Sequence, residues 1–195
     1  LIDEIICNKK ITLFEKSTIS NIQILNDLTI INTQQKKLFT PLLVAADGKG
    51  SLVRRILKQP YFSKKYNQNA LVVNFLHTQN HHNTAYEIFY DTGPLATLPM
   101  VRGLNSEYRS SLVWTHKPNF IKNLNDIHNN LLSSLIDERI ENYLGKIIKI
   151  VNKQMFPLSA HINSSFNTER VVFVGDAAHS IHPIAGQGWN LGLRD

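Results

Sequence analysis

Apolar positions along this chain keep two rhythms, and the change of rhythm divides it. Leu1, Ile2, Ile5 and Ile6 share one face of a helix. Ile11–Phe14, Ile22–Leu25 and Leu28–Ile31 then read as short strands, the last two joined by a turn-like Leu-Asn-Asp. Leu38 to Ala46 is a long apolar run of the kind that forms a strand buried on both faces in a parallel sheet. It ends at Asp47-Gly48, and a helix is predicted from Ser51 to Lys58 with Ser51 at its N-terminus.

The middle alternates instead. Ala70–Thr78, Ala85–Tyr90, Leu95–Val101 and Ser110–His116 are rich in Val, Leu, Phe, Tyr and Trp and spaced as in an antiparallel sheet. Leu124, Ile127, Leu131, Leu132, Leu135, Ile136, Ile140 and Leu144 then recur every three or four residues, which predicts one or two helices over 121–144. A further strand is expected at Phe156–Ala160, another at Val171–Val174, and the first turns of a helix from Trp189 to Asp195. The layout is a strand–helix piece over 1–60, an inserted sheet with helices over 61–160, and a return to strand–loop–helix over 161–195.

Composition narrows the classes. Apolar residues make up 43% of the 195, which supports a core and argues against disorder. The single cysteine, Cys7, excludes an internal disulfide and fits a reducing compartment such as cytoplasm. No apolar run reaches the length of a membrane span. The formal charge of +6 favours anionic partners, but the lysines are dispersed, as at Lys9-Lys10, Lys36-Lys37 and Lys64-Lys65. Without a basic helix or an aromatic-interleaved basic stripe, nucleic acid is not the expected partner.

Two stretches carry candidate chemistry. In Val44–Arg54 a buried strand delivers Asp47 and Gly48 at its C-terminal end, where open parallel sheets bind ligands, with Arg54 one helical turn beyond. A plain strand–turn–helix held by an Asp–Arg or capping contact explains the same residues equally well. In Val171–Asp195 a second strand ends at Gly175-Asp176, and a carboxylate there suits ribose-type hydroxyls. Small Ala177 and Ala178 let a ligand approach the backbone, and Gly186, Gln187 and Gly188 lead into a helix whose N–H groups face what precedes it. His179 and His182 have a spacing open to a metal, but no third ligand stands beside them, so no metal site is expected. Ser180 lacks a nucleophile-elbow pattern.

"DGKGSLVR" and "GDAAHSIHPIAGQGWNLGLRD" together resemble the Asp-Gly and Gly-Asp motifs of the flavin-dependent aromatic hydroxylases, the p-hydroxybenzoate-hydroxylase-like monooxygenases. "FYDTGPLATLPM" followed by "SSLVW", and the "HPIAGQG" wording, are similar to the ubiquinone-biosynthesis branch and within it to the polyprenyl-methoxyphenol hydroxylases. The resemblance implies an α/β fold, α+β overall: a partial Rossmann-like FAD-binding domain with an inserted antiparallel-sheet substrate domain. It implies FAD as cofactor, NADH or NADPH as electron donor, and a prenylated phenol and O2 as substrates.

By the same resemblance, Gly175 and Asp176 meet the ribityl or ribose region, and Pro183 with the main chain of Gly186, Gln187 and Gly188 lines the isoalloxazine. Asn190 sits near its pyrimidine edge, and Asp47, Gly48 and Arg54 belong to a motif tied to both FAD and NAD(P)H. Leu95, Leu98 and Pro99 become candidate substrate-pocket residues, and ordinary sheet core explains each of them at least as well. No side-chain nucleophile is required. Family members open with G-x-G-x-x-G, which this sequence lacks, and continue past the position of Asp195, so an internal fragment is expected. A bilayer-dissolved substrate would bring a cytoplasmic enzyme to the inner face of the membrane as a peripheral protein, or into a ubiquinone-biosynthesis assembly. The alternatives are a non-catalytic remnant, or a same-fold hydroxylase of a soluble aromatic acid.

Overall fold

The computed structural model describes residues 2–103, 106–140, 143–183 and 186–195. The elements run α1 (Ile2–Cys7), β1 (Ile19–Ile24), β2 (Thr29–Thr33), β3 (Lys37–Thr40), β4 (Leu43–Ala45), α2 (Leu52–Ile56), β5 (Tyr61–His77), β6 (Tyr86–Tyr90), β7 (Gly93–Met100) and β8 (Tyr108–His116). They continue with α3 (Pro118–Asp126), α4 (Asn129–Arg139), β9 (Ile147–Asn163), β10 (Asn167–Thr168), β11 (Val171–Phe173), a 3-10 turn (Gly175–Ala177), β12 (His179–Ser180) and α5 (Gln187–Gly192). This is the mixed α/β chain that the patterning predicts. It divides into two units, one of Leu1–Phe62, His161–Ser180 and Gly188–Asp195, the other of Ser63–Ala160 and Ile181–Gln187.

In the first unit, β1, β2 and β3 form an antiparallel meander, and β4 pairs in parallel with β11, Leu43 opposite Val171 and Ala45 opposite Phe173. The apolar run at 38–46 is therefore not one strand, as its pattern predicts, but two in different sheets. The break falls at Pro41, which has no N–H to give a ladder, and the Thr40 hydroxyl bonds the Leu42 carbonyl at 2.7 Å to turn the chain. Ile11–Phe14, expected as a strand, takes no strand partner among the described residues and stays exposed at Ile11, Leu13 and Phe14. Ile22, Ala45, Val53, Val171, Phe173, Ala177 and Ala178 make a small core, with Leu43 and Ile56 packed against it.

The second unit is larger in its hydrophobic content. Its antiparallel sheet runs β9-β5-β8-β7-β6, and β6 and β7 close a hairpin through Asp91-Thr92 with Tyr90 opposite Gly93. Gly93 has φ +139, and a Cβ there would stand 2.5 Å from the Thr115 carbonyl oxygen, so only glycine fits this corner. Leu71, Val73, Phe75, Leu95, Leu112 and Trp114 project from one sheet face onto Ile121, Leu124, Leu132 and Ile136 of α3 and α4. Each fully buried Leu or Phe there contributes about 1.5–3 kcal/mol by removal from water. The helical rhythm expected over 121–144 is interrupted where Ile127 leaves α3 in an extended conformation and the His128 ring accepts the Asn130 N–H to start α4. β5 and β9 are each 17 residues long and extend well beyond the runs that predict them, through polar stretches such as Ser63–Asn69. No helix of the described residues is long and apolar enough to cross a membrane.

Candidate functional site

The first unit brings the two sequence motifs to one edge. Parallel pairing of β4 with β11 delivers Asp47-Gly48 and Gly175-Asp176 at the C-terminal ends of adjacent strands, the position at which open α/β sheets receive ligands. Asp47 is exposed but turns one carboxylate oxygen back to the helix that follows. Its Oδ2 accepts the N–H groups of Leu52 at 2.7 Å and Val53 at 3.1 Å, while Ser51 Oγ accepts the Arg54 N–H at 3.0 Å. All three leading amides of α2 are thus satisfied, which a five-residue helix needs because so short a segment has little stability of its own.

That helix holds Arg54, only 6% exposed. Its Nη1 donates to the Ala177 carbonyl at 3.0 Å and to His161 Nε2 at 3.1 Å, and its Nη2 donates to the Lys49 carbonyl at 2.5 Å. The guanidinium lies 4.7 Å from the centre of the Tyr61 ring. The Ala177 carbonyl also receives Asn163 Nδ2 at 3.2 Å, and the His161 ring meets Ser180 Oγ at 2.9 Å through Nδ1. Arg54 is thereby an internal tie between the two motifs. Burial lowers the His161 pKa most, the neighbouring Arg54 charge lowers it further, and the Asp176 carbonyl and carboxylate pull the other way.

The turn at Gly175–Ala177 is fixed from a second side. Asp195 Oδ2 accepts the Gly175 N–H at 2.6 Å, and His179 Nε2 lies 3.0 Å from Asp195 Oδ1. Burial opposes the Asp195 carboxylate, but these two contacts prevail and hold its pKa below the ordinary value. Asp176 itself is exposed. Gly48 and Gly175 have φ of +78 and +56, and nothing stands within 4 Å of where a Cβ would be, so bare main chain borders open space at both turns. An exposed carboxylate flanked by bare backbone fits a polyhydroxylated dinucleotide.

Of the remaining sequence candidates, Gly188 is half-buried and Asn190 exposed, both on α5 in this unit. Pro183, Gly186 and Gln187 belong to the other unit; Pro183 and Gln187 are exposed, and Gly186 has φ +63 with open space beside it. Residues 184 and 185 of the expected loop lie outside the described residues. In that unit His182, its pKa lowered by burial, meets Gln68 Oε1 at 3.1 Å and the Tyr66 ring edge at 5.0 Å. Leu95 has no exposed surface and sits in the core against α3 and α4, so the pocket expectation fails for it in this structure. Leu98, 42% exposed, points to the opposite sheet face, and Pro99 is half-buried. Sequence reasoning overlooks His161, Asn163 and the bonding of Ser180. The signal is an inverted polarity in β9, where His161 and Asn163 are buried and the intervening Ile162 is 49% exposed.

Sequence comparisons with known proteins agree on one family. A family model described as an FAD binding domain matches residues 28–195. The ubiquinone hydroxylase UbiL of Rhodospirillum rubrum is 34% identical over 154 residues, covering 79% of this chain and 35% of that protein. The 3-demethoxyubiquinol 3-hydroxylase of Escherichia coli is 30% identical over 154 residues, covering 79% and 38%. The mitochondrial ubiquinone biosynthesis monooxygenase COQ6 of Dictyostelium discoideum is 29% identical over 220 residues, covering 93% and 44%. The chain thus spans less than half the length of these relatives. Among solved structures, the flavin-dependent halogenase CmlS superposes with a TM-score of 0.73 at 15% identity, covering 95% of this chain and 35% of that one. Aklavinone-11 hydroxylase, solved with FAD and aklavinone, gives 0.66 at 18%, covering 89% and 34%. These two likenesses establish the fold.

Proposed function

Because the chain belongs to the FAD binding domain family, we propose that it forms part of an FAD-dependent monooxygenase that hydroxylates a prenylated phenol in ubiquinone biosynthesis, using NAD(P)H and O2. The observation that carries the reading is the parallel β4–β11 pairing, which sets Gly48 beside Gly175-Asp176 at one strand edge and ties them through Arg54. Bound FAD would supply the electron transfer and oxygen activation. The protein's share is to hold and orient it. Asp176 accepts from hydroxyls of the cofactor chain, and the bare turns at Gly48 and Gly175 allow close approach. Asp47 and Arg54 act as positioning residues, since Asp47 Oδ2 caps α2 and both Arg54 Nη atoms donate to groups within the fold. Pro183 and the main chain of Gly186, Gln187 and Gly188 line the ring, with Asn190 at its edge. Leu98 and Pro99 serve the apolar side of the substrate, where exclusion of water protects the oxygen chemistry.

The relatives' names support the substrate class. A prenyl chain dissolves in the bilayer, and the +6 charge suits peripheral contact with an anionic membrane surface. The test is titration with FAD followed by flavin absorbance and fluorescence, then NAD(P)H oxidation with prenylphenols against small aromatic acids. Binding with prenylphenol-dependent oxidation is expected. Asp176→Asn should weaken FAD affinity by about tenfold or more, the worth of a charge-assisted hydrogen bond. A protein that takes up no FAD defeats the proposal, and stimulation by soluble acids alone reassigns the substrate.

A further inference from the structure

We propose that His161 is a positioning residue for the cofactor site: as a neutral imidazole accepting at Nε2, it holds Arg54 against the Ala177 carbonyl and so fixes the turn that carries Asp176. The inference rests on the FAD reading above and concerns a residue outside both sequence motifs.

The geometry leaves one protonation pattern. Arg54 is 6% exposed and His161 5%, and they meet at 3.1 Å through Nη1 and Nε2. A guanidinium only donates, so Nε2 must present its lone pair. The ring proton then lies on Nδ1, facing Ser180 Oγ at 2.9 Å, and Ser180 is itself buried on the strand paired with His161. The same Nη1 donates to Ala177 O, so the imidazole and the turn carbonyl hold it jointly. Asn163, two residues along β9, reinforces the turn through its side chain to Ala177 O and its N–H to Ala178 O at 2.9 Å.

The groups facing His161 come from every side: Arg54 from α2, Lys49 from the loop before it, Asp176 from the turn, Ser180 from β12 and the Tyr61 ring edge at 6.2 Å from β5. Burial and two cations oppose the imidazolium, the Asp176 carbonyl and carboxylate favour it, and the opposing influences prevail. Protonation would set an N–H on Nε2 against the Arg54 N–H, two donors with no acceptor between them. The pKa of His161 is lowered from 6.5 in the fold, so the arrangement is complete above that value and is lost as pH falls through the lowered one.

FAD affinity of the wild-type protein and of His161→Gln, titrated from about pH 8 to about pH 5, tests this. Wild-type affinity should fall by about tenfold for each unit below the lowered pKa, while Gln, whose amide oxygen accepts at every pH, should lose most of that slope. Ring nitrogen NMR of the unliganded wild type should show Nδ1 protonated and Nε2 bare at neutral pH, a readout independent of any variant's folding. Equal slopes in the two proteins, or an Nε2–H tautomer, would overturn the assignment. Failure of the wild type to bind FAD at any pH strikes the functional reading instead and leaves the tautomer measurement standing.

Discussion

The two units are built on opposite principles. In the Ser63–Ala160 unit, a broad apolar sheet face meets two helices, and among the described residues thirteen buried side chains from Leu71 to Ile150 form one hydrophobic cluster. In the other unit the strands that carry the motifs, β4 and β11, are three residues each, and the buried cluster has seven members among the described residues, two of them alanines at the turn itself. What it lacks in apolar area it replaces with directed bonds from Arg54, His161, Asn163 and Asp195. Burial is indifferent to direction, whereas hydrogen bonds fix angles and distances. The unit that must present a turn at a defined place is the one held by angles.

That contrast can be broken by experiment, beginning where the effect is largest. Phe75→Ala, at a position with no exposed surface, should cost about 3–5 kcal/mol in chemical denaturation, because the cavity cannot be refilled. Arg54→Met should cost about 1–3 kcal/mol by leaving buried acceptors without a donor, and Lys should not restore it, since one ammonium cannot match the fork that reaches Lys49, His161 and Ala177. A cost for Arg54→Met above that for Phe75→Ala would mean that polar ties dominate stability as well as placement. Leu98→Ala should change stability by no more than about 0.5 kcal/mol, being 42% exposed, yet raise KM for a prenylphenol; an unchanged KM would remove Leu98 from the substrate face.

Much of this was readable from the chain. The Gly-Asp and Asp-Gly motifs marked the correct strand ends, and the alternation in 70–116 located three of the sheet's strands closely. The misreadings share a cause: periodicity reports burial, not pairing. Ser63–Asn69 is mostly polar, with no buried residue, and it is still strand because a ladder continues through it. Leu38–Ala46 is apolar throughout, and Pro41 nevertheless sends its halves to different sheets. Arg54 was visible as a motif residue, but its direction was not, because its partners lie more than a hundred residues away at His161 and Ala177. Leu95 and Leu98 looked alike as apolar pocket candidates, and an odd separation along one strand put them on opposite faces.

The Ala177 carbonyl has a consequence for what can be recognised beside it. Its oxygen takes two donors, and the amides of Gly175, Ala177 and Ala178 are spent on Asp195, Val174 and Gly175. A newcomer at this corner finds those three amides already occupied and meets the exposed Asp176 carboxylate, which only accepts. Selection there favours hydroxyl-bearing guests over phosphates, a discrimination imposed by saturating the neighbours rather than by adding a contact.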